Sequence, residues 1–448
     1  MLSNVEAPLK VIFDEMRHDP QFTLSGVSST RILHCHYFDK PHLGFEIDPV
    51  LQPYHDCIEK KLKKRSIDQK EHWHGFFKKT GGESKAINFN KHERRIKNLI
   101  RNYGIPPEFR SKVWLECVGV HKKIDLNRGY YDKMLDSDLH DSKHHTIIHQ
   151  IELDLRRTFP KHPFFKHDES NTPLGLVHLR HVLLAFSRRN PYIAYCQALN
   201  YIAGYLLLHF VEEEAFWMLV MLLEEILPGD YYNPKLRGVR VDTKVLDHLI
   251  SFYLPTIHRH FKKCEFDVSA IVISWFLRLY VEVFPVNTTL RIWDLIFNEG
   301  SKMLFRVVLG MLKINKQQVL KCHTPGELLT CLNNAGKRQF DHDELIKACF
   351  SFHKLKNITI DLKREYFASI IDAEQESIET RRQNQRNRIQ YKDDQYSYED
   401  KLFKHLDANK QAMDVSERKI LELRANLRHR VCLSATSNDL FFSSQSHT

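Results

Sequence analysis

The sequence predicts an all-α protein, and three observations support that fold class. Apolar residues recur at helical spacing through most of the chain from about residue 91 to about residue 350. No segment of comparable length shows the strict apolar–polar alternation that is typical of strands. The 16 glycines and 16 prolines among 448 residues are too few for a loop-rich all-β fold.

Local signals predict the helices in chain order. A first amphipathic helix covers residues 91–102, and Tyr103-Gly-Ile-Pro-Pro107 ends it with a C-cap-like glycine followed by prolines. Apolar faces with a period of 3.6 residues predict the helices that follow. These cover residues 108–119, 144–157, 173–189, 198–211, 213–226, 241–252, 268–284, 289–297 and 303–320.

Composition divides the chain into four predicted parts. Residues 1–90 form a partly irregular N-terminal lead-in, because prolines flank Gly44-Phe45-Glu46 and Thr80-Gly-Gly-Glu-Ser84 is typical of a flexible break. Residues 91–355 form the all-helical domain. Residues 356–430 form a charged helical or amphipathic extension, and the Ser-rich residues 431–448 are expected to be a disordered tail.

The extension carries an imperfect heptad pattern. Leu406, Met413, Ile420 and Leu427 share one heptad position, and Leu402 and Leu423 share the other. Asn409 and Ser416 interrupt that second position, which argues against a strong coiled coil. The pattern favours an amphipathic helix that docks or pairs weakly.

Charge and cysteine usage limit the partners and the compartment. The formal net charge of +10 indicates acidic partners: nucleic acid, a phospholipid surface or an acidic protein face. The chain has no zinc finger, RNP-like pattern or basic leucine zipper, so we expect no nucleic-acid partner. The nine cysteines are scattered without C-x-x-C spacing, no signal peptide is evident and no apolar run reaches about 18 residues. We therefore expect a cytoplasmic protein that contacts acidic endomembranes at most peripherally.

The first candidate site is Ile151-Glu-Leu-Asp154-Leu-Arg-Arg157. In a helix, Asp154 and Arg157 are three residues apart and meet on one side. Pro160 ends the helix at or just before Phe159, which would place Arg157 in the last turn. Spacing alone favours an ordinary surface ion pair here.

The second candidate site is Tyr195-Cys196-Gln197. It follows the turn dipeptide Asn190-Pro191 and precedes the apolar helix predicted from Ala198. Gln197 therefore lies close to a helix N-terminus, on a short connection. By itself such a glutamine is more often a cap or a plain surface residue.

The residues present argue against a metal site and against a GTP-binding loop in this chain. His145 and His149 are four apart on a predicted helix, but no glutamate lies between them and no third ligand is near, so we expect no metal. No Gly-x-x-x-x-Gly-Lys-Ser/Thr loop is present, so the chain itself should not bind GTP.

Three short motifs, in order, carry a family resemblance. Gly104-Ile-Pro-Pro-Glu-Phe-Arg110-Ser-Lys-Val-Trp114 resembles the opening Arg-x-x-x-Trp motif of TBC domains, the catalytic module of Rab GTPase-activating proteins. Ile151–Arg157 is similar to that family's Ile-x-x-Asp-x-x-Arg motif, and Tyr195–Gln197 is similar to its Tyr-x-Gln motif. Later landmarks are Trp275-Phe276, Phe284-Pro285, Arg291-Ile-Trp-Asp294 and Glu299-Gly300. Gly129-Tyr-Tyr131 and the segments 200–206, 227–232 and 298–302 narrow the resemblance to one member.

The resemblance implies a fold of two helical subdomains and a role for each motif residue. Arg157 would be an arginine finger and Gln197 a glutamine finger, both supplied in trans to the GTP of a Rab-family GTPase. Asp154 would hold Arg157, Tyr195 would fix the Gln197 loop, and Arg110 with Trp114 would support the finger loops. The implied protein is a GTPase activator that regulates vesicle trafficking. It turns over no substrate and needs no cofactor of its own, since GTP and magnesium are bound by the partner.

One departure from the family pattern leaves an alternative open. The family usually has glycine before the Tyr and often after the Gln, whereas this chain has Ala194 and Ala198. If those positions need positive φ, alanine strains the loop and misplaces Gln197. The alternative is then a catalytically weak Rab-binding scaffold that recruits partners through its C-terminal extension.

Overall fold

A computed structural model describes residues 41–80, 89–136, 142–166, 172–409 and 421–426. Within these ranges the regular structure is entirely helical and contains no strand, which confirms the all-α prediction. The chain divides into two compact units, Met1–Ile371 and Asp372–Thr448. The predicted part boundaries at residues 90, 355 and 430 stay predictions.

The helices are numbered here in chain order. They are α1 (Gln52–Thr80), α2 (Phe89–Tyr103), α3 (Pro107–Val118), α4 (Val120–Leu126), α5 (Tyr130–Asp136), α6 (Ser142–Leu155), α7 (Leu174–Arg189), α8 (Leu199–Leu207), α9 (Glu212–Met221), α10 (Arg237–Tyr253), α11 (Pro255–Lys263), α12 (Ser269–Leu277), α13 (Val286–Glu299), α14 (Lys302–Ile314), α15 (Lys316–Leu320), α16 (Pro325–Arg338), α17 (His342–Phe350) and α18 (Asn357–Asn409).

Helix α1 lies in the stretch predicted as a lead-in, yet it packs firmly in the first unit. Trp73, Phe76 and Phe77 are buried on one side of an otherwise charged helix. The indole Nε1 of Trp73 donates to the carbonyl of Gly104 over 2.7 Å, at the turn that ends α2. A small number of apolar residues is enough to dock a mostly basic helix when they share one face.

The centre of the first unit is α8, which is buried along its whole length between α7 and α9. Every residue from Leu199 to Leu207 is buried. A short helix that is apolar on all sides must be enclosed by others, because it has no polar face for solvent. Helix α6 also packs on α7, and this arrangement places the end of α6 beside the start of α8.

Several predicted helix ends were wrong. Helix α6 ends at Leu155, so Arg157 lies in the turn after the helix and not in its last turn. Helix α12 ends at Leu277, because Leu279, Tyr280 and Glu282 adopt positive φ, which no α-helix tolerates. Helix α9, by contrast, continues beyond Met221 as the π-helical turn Leu222–Ile226, which reaches the end predicted at residue 226.

The extension is helical over its described part. Helix α18 begins at Asn357 and continues to Asn409, through the polar stretch at 390–398 where the sequence offered little to bury. Of the predicted heptad residues, Met413, Ile420 and Leu427 lie outside the described residues, and Leu423 is exposed. The tail at 431–448 also lies outside them.

Across the described segments, no helix combines the length and the apolar character that crossing a bilayer requires.

Candidate functional site

The turn that carries Arg157 is fixed by its own backbone. The Arg157 N–H donates to the Asp154 carbonyl over 3.2 Å, and the Thr158 N–H donates to the Leu155 carbonyl over 3.1 Å. The side chain of Arg157 keeps 47% of its surface exposed, whereas Thr158 and Phe159 behind it are buried. The guanidinium therefore points out of a rigid corner.

Gly204 on α8 makes room for this corner. A Cβ on Gly204 would lie 2.8 Å from Cε2 of Phe159 and 3.4 Å from Cγ2 of Thr158. The Phe159 ring also packs against the rings of Phe165 and Tyr201, with centroids 5.6 Å away in both cases, so it cannot easily shift away. The absence of a side chain at Gly204 thus lets the Arg157 turn seat against α8.

Gln197 is exposed at the end of a loop whose backbone is unusual. The Asn190 side chain accepts from the Ile193 N–H over 3.1 Å, and the Asn190 carbonyl accepts from the Ala194 N–H over 2.7 Å. Ala194 has a φ of 52° and Ala198 a φ of 110°. Both alanines that flank the Tyr195–Gln197 motif therefore occupy the left-handed region that glycine favours.

Glu224 anchors the beginning of this loop from the π-helical turn. Its carboxylate accepts from Arg189 Nη2 over 2.9 Å and from the Asn190 side-chain amide over 3.1 Å. The Arg189 guanidinium also lies over the rings of Tyr130 and Trp217, 5.4 and 5.2 Å from their centroids. A π-helical turn at this point is consistent with a role in shaping a site.

Asp154 joins the two candidate segments. Its carboxylate, only 4% exposed as a residue, pairs with the Arg157 guanidinium and accepts a short hydrogen bond from the Tyr195 hydroxyl. Burial and the bond to Asp154 raise the pKa of the Tyr195 hydroxyl above its usual 10.0, so it is a permanent donor. One buried acid therefore orients an arginine in the turn after α6 and the loop that carries Gln197.

A cavity of about 560 Å³ lies between the two segments. Asp154, Arg157, Tyr195 and Gln197 line it, together with Gln150, Leu153, Ile193, Cys196, Tyr232, Asn233, Pro234 and Leu236. Burial raises the pKa of the Cys196 thiol to about 11, which keeps it neutral and a poor nucleophile. The lining offers one exposed cation, Arg157, and the exposed amides of Gln150 and Gln197, a set suited to stabilising negative charge and orienting water rather than to covalent chemistry.

Arg110 and Trp114 lie elsewhere. Arg110 Nε and Trp114 Nε1 each donate to Asp294 Oδ1 over 2.9 Å, and the Ile105 N–H donates to Asp294 Oδ2 over 3.2 Å. All of these groups are buried, so the network ties the turn after α2 to α13. Neither residue lines the cavity that holds Arg157 and Gln197. Their predicted support of the finger loops stays a prediction.

Sequence reasoning missed the residues that hold these segments. Asn190 was recognised only as part of a turn, and Glu224 is 34 positions away from it. No local spacing rule pairs residues at that separation, because such rules describe neighbours on one helix. Asn200 did offer a signal, since it is a polar residue at the start of an otherwise apolar helix.

Comparisons with known proteins match this chain to one family. A family model described as the Rab-GTPase-TBC domain matches residues 107–320. The chain is 34% identical over 275 residues to Growth hormone-regulated TBC protein 1 of Xenopus laevis, covering 60% of this chain and 78% of that protein. This is the member that the narrower set of motifs resembles.

Two further similarities concern other proteins. The chain is 36% identical over 333 residues to TBC1 domain family member 2B of Mus musculus, covering 70% of this chain but 33% of that protein. It thus spans about a third of the length of that relative. The crystal structure of the Chlamydomonas flagellar RabGAP TBC domain superposes with a TM-score of 0.58 at 32% identity, covering 68% of this chain and 98% of that one.

Proposed function

The chain belongs to the Rab-GTPase-TBC domain family, and from this premise we propose that it activates GTP hydrolysis by a Rab-family GTPase. Arg157 acts as an arginine finger and Gln197 as a glutamine finger, both inserted in trans into the nucleotide site of the GTP-bound partner. The activator turns over no substrate of its own. By returning Rab proteins to their GDP form it regulates vesicle trafficking.

One observation carries the proposal: the exposed Arg157 and the exposed Gln197 line a single cavity and are oriented through a single buried carboxylate. In phosphoryl transfer, negative charge spreads over the transferred oxygens, and a planar guanidinium supplies donors to them without reorganisation. An amide can donate to and accept from the attacking water, so Gln197 orients that water. Asp154 holds the Arg157 side chain, and its bond to Tyr195 holds the loop that carries Gln197, before the partner arrives, which lowers the entropy cost of assembling the site.

The metal and the nucleotide come with the partner. GTP and its Mg²⁺ are bound by the Rab protein, and the activator needs no cofactor of its own. Its contribution is limited to fixed donors and the exclusion of water from the joined site.

The surface around the fingers suits a protein partner. Leu153 on α6 lines the cavity and is 58% exposed. Tyr192 in the loop is 61% exposed, and its hydroxyl accepts a hydrogen bond from the lining residue Asn233. Large exposed apolar side chains next to a charged cavity are typical of a binding surface, where they become anchors on contact. We assign them to contacts with the mobile regions of a GTP-bound Rab.

The site of action follows from the partner. Rab proteins work at endomembranes, so the activator acts in the cytoplasm and contacts acidic membranes at most peripherally. The net charge of +10 favours such contact.

Single-turnover GTP hydrolysis by a panel of GTP-loaded Rab proteins tests the proposal. We expect the unchanged protein to accelerate hydrolysis by at least one Rab. Arg157→Ala should lower that acceleration by about 10³–10⁵-fold, and Gln197→Ala should lower it by about 10²–10³-fold.

Arg156→Ala is the matched control, because Arg156 is the exposed neighbour of Arg157 and does not line the cavity. That variant should keep nearly full activity. The proposal fails if no Rab is accelerated, or if Arg157→Ala and Arg156→Ala behave alike.

A second candidate function rests on the positive φ of Ala194 and Ala198. If the strained loop does not present Gln197 correctly, the protein is a weakly catalytic Rab-binding scaffold that recruits partners through its extension. It would then bind GTP-loaded Rab without accelerating hydrolysis. Measuring binding and hydrolysis on the same Rab separates the two functions.

A further inference from the structure

A second, fully buried connection joins the arginine turn to the glutamine loop. Asn200, in the first turn of α8, has no exposed surface. Its side-chain amide donates to Thr158 Oγ1 over 2.7 Å, and its side-chain carbonyl accepts from the Ala198 N–H over 3.3 Å. Asn200 therefore contacts the residue after Arg157 and the residue after Gln197 with the two ends of one amide.

Thr158 completes the connection on the other side. It is also fully buried, and its hydroxyl donates to the Asp154 backbone carbonyl over 2.7 Å. The hydroxyl thus accepts one hydrogen bond and donates another, which uses its proton and orients its lone pair. A continuous path of three hydrogen bonds runs from the Asp154 carbonyl through Thr158 and Asn200 to the Ala198 N–H.

This path and the Asp154 carboxylate form a closed ring around the site. The carboxylate ties Arg157 to Tyr195, at the start of the motif, and the Asn200 amide ties Thr158 to Ala198, at its end. Gln197 lies between the two attachment points. A loop attached at both ends to the same turn cannot move independently of that turn.

The second attachment falls at the residue that needs it most. Ala198 has a φ of 110° and a ψ of −25°, a backbone conformation that L-residues rarely adopt. Strained backbone persists only where the surroundings hold it. The bond from its N–H to Asn200 acts on that residue directly.

We propose that Thr158 and Asn200 are positioning residues for GTPase activation: their buried hydrogen bond locks the Gln197 loop to the Arg157 turn, so that both fingers are presented as one unit. This inference rests on the proposed function. Neither residue touches the nucleotide; both act through Gln197.

The test compares Thr158→Val, which keeps the shape of the side chain and removes its hydroxyl, with Thr158→Ser, which keeps the hydroxyl. With a responsive Rab, Thr158→Val should lower kcat by about tenfold or more while KM stays within about twofold, because binding surfaces are unchanged. The kcat of the Thr158→Ser variant should stay within about twofold of that of the unchanged protein. In a protein that already carries Gln197→Ala, adding Thr158→Val should lower kcat by less than about a further twofold.

A second readout does not depend on any Rab. Cys196 adjoins Gln197, and its alkylation by iodoacetamide, followed by peptide mass spectrometry, reports opening of the loop. Thr158→Val should raise the rate of Cys196 alkylation at least about threefold, and Thr158→Ser should not raise it. Cys349 in α17, which is fully buried, reports global unfolding and should stay unmodified in every variant.

The outcomes separate the two proposals. A Thr158→Val protein that keeps its kcat and its Cys196 rate, and loses only thermal stability, overturns the inference. So does an equal loss of kcat with and without Gln197. If the unchanged protein accelerates no Rab, the proposed function fails, and the Cys196 rates still decide whether Thr158 holds the loop.

Discussion

Ala198 is the residue where local backbone preference and the observed conformation disagree. Its φ of 110° lies in the region that glycine reaches at little cost, and an L-residue there is strained by about 1–3 kcal/mol. The sequence raised this question only as a condition, since nothing local to Gln197-Ala198 states which φ the fold requires. The packing of α8 against the Arg157 turn imposes it.

We predict that Ala198→Gly stabilises the protein by about 0.5–1 kcal/mol, because relief of strain exceeds the entropy that glycine adds to the unfolded chain. Single-turnover GTP hydrolysis should also become faster. Chemical denaturation measures the change in stability, and a single-turnover assay with a responsive Rab measures the change in the rate of hydrolysis.

Ala203→Gly is the control for that substitution. Ala203 is buried in the middle of α8 and is helical, so glycine there should destabilise by about 1 kcal/mol or more. Similar losses in both variants would show that the backbone at Ala198 is not strained.

At the scale of elements, a largely buried polar cluster joins α5, α7 and α9. Glu212, at the start of α9, accepts from the Tyr131 hydroxyl over 3.0 Å and lies 3.1 Å from His181 Nδ1 and 3.4 Å from His178 Nε2. Burial lowers the pKa of His178 below its usual 6.5, and the neighbouring Glu212 offsets this only in part. His178 is therefore neutral in the folded protein over a range where the unfolded chain binds a proton.

This difference predicts a loss of stability as pH falls through 6.5. Below that value the unfolded state takes up more protons at His178 than the folded state, so the free energy of unfolding decreases. Thermal melting between about pH 7.5 and 5.5 should show the decrease, and His178→Gln should make it smaller, because the pKa values of His42 and His248 are lowered as well. A His178→Gln profile as steep as the original contradicts the prediction.

At the scale of the whole molecule, the first turns of α18, up to Ile371, pack within the first unit. Arg364 donates to both carboxylate oxygens of Asp242 over 2.8 Å, and Asp242 is fully buried in α10. Burial raises the pKa of Asp242, which makes the ionised acid costly without its partner. Ile360 and Ile371 are buried as well.

We predict that Arg364→Met destabilises the first unit by about 3–5 kcal/mol, because it leaves a buried carboxylate without its bidentate partner. Urea denaturation measures the loss. Arg381→Met, an exposed arginine further along the same helix, should change the stability by less than about 0.5 kcal/mol. Equal effects of the two substitutions would mean that the first turns of α18 do not stabilise the first unit.

The sequence alone determined the features that depend on residues close together along the chain. The helical class, most helix positions and the proximity of Asp154 to Arg157 follow from periods of three to four residues. Three motifs in order were enough for the family. Helix ends were less secure, as Leu155 and Leu277 show, because capping and tertiary contacts compete there with periodicity.

Tertiary structure alone decided how the candidate site is assembled. Asp154 meets Tyr195 across 41 positions, Thr158 meets Asn200 across 42, and Arg364 meets Asp242 across 122. Only the packing of α6, α7 and α8 brings the first two pairs together, and the same packing sets the φ of Ala198. Such contacts depend on the path of the whole chain in space, which no local pattern of residues encodes.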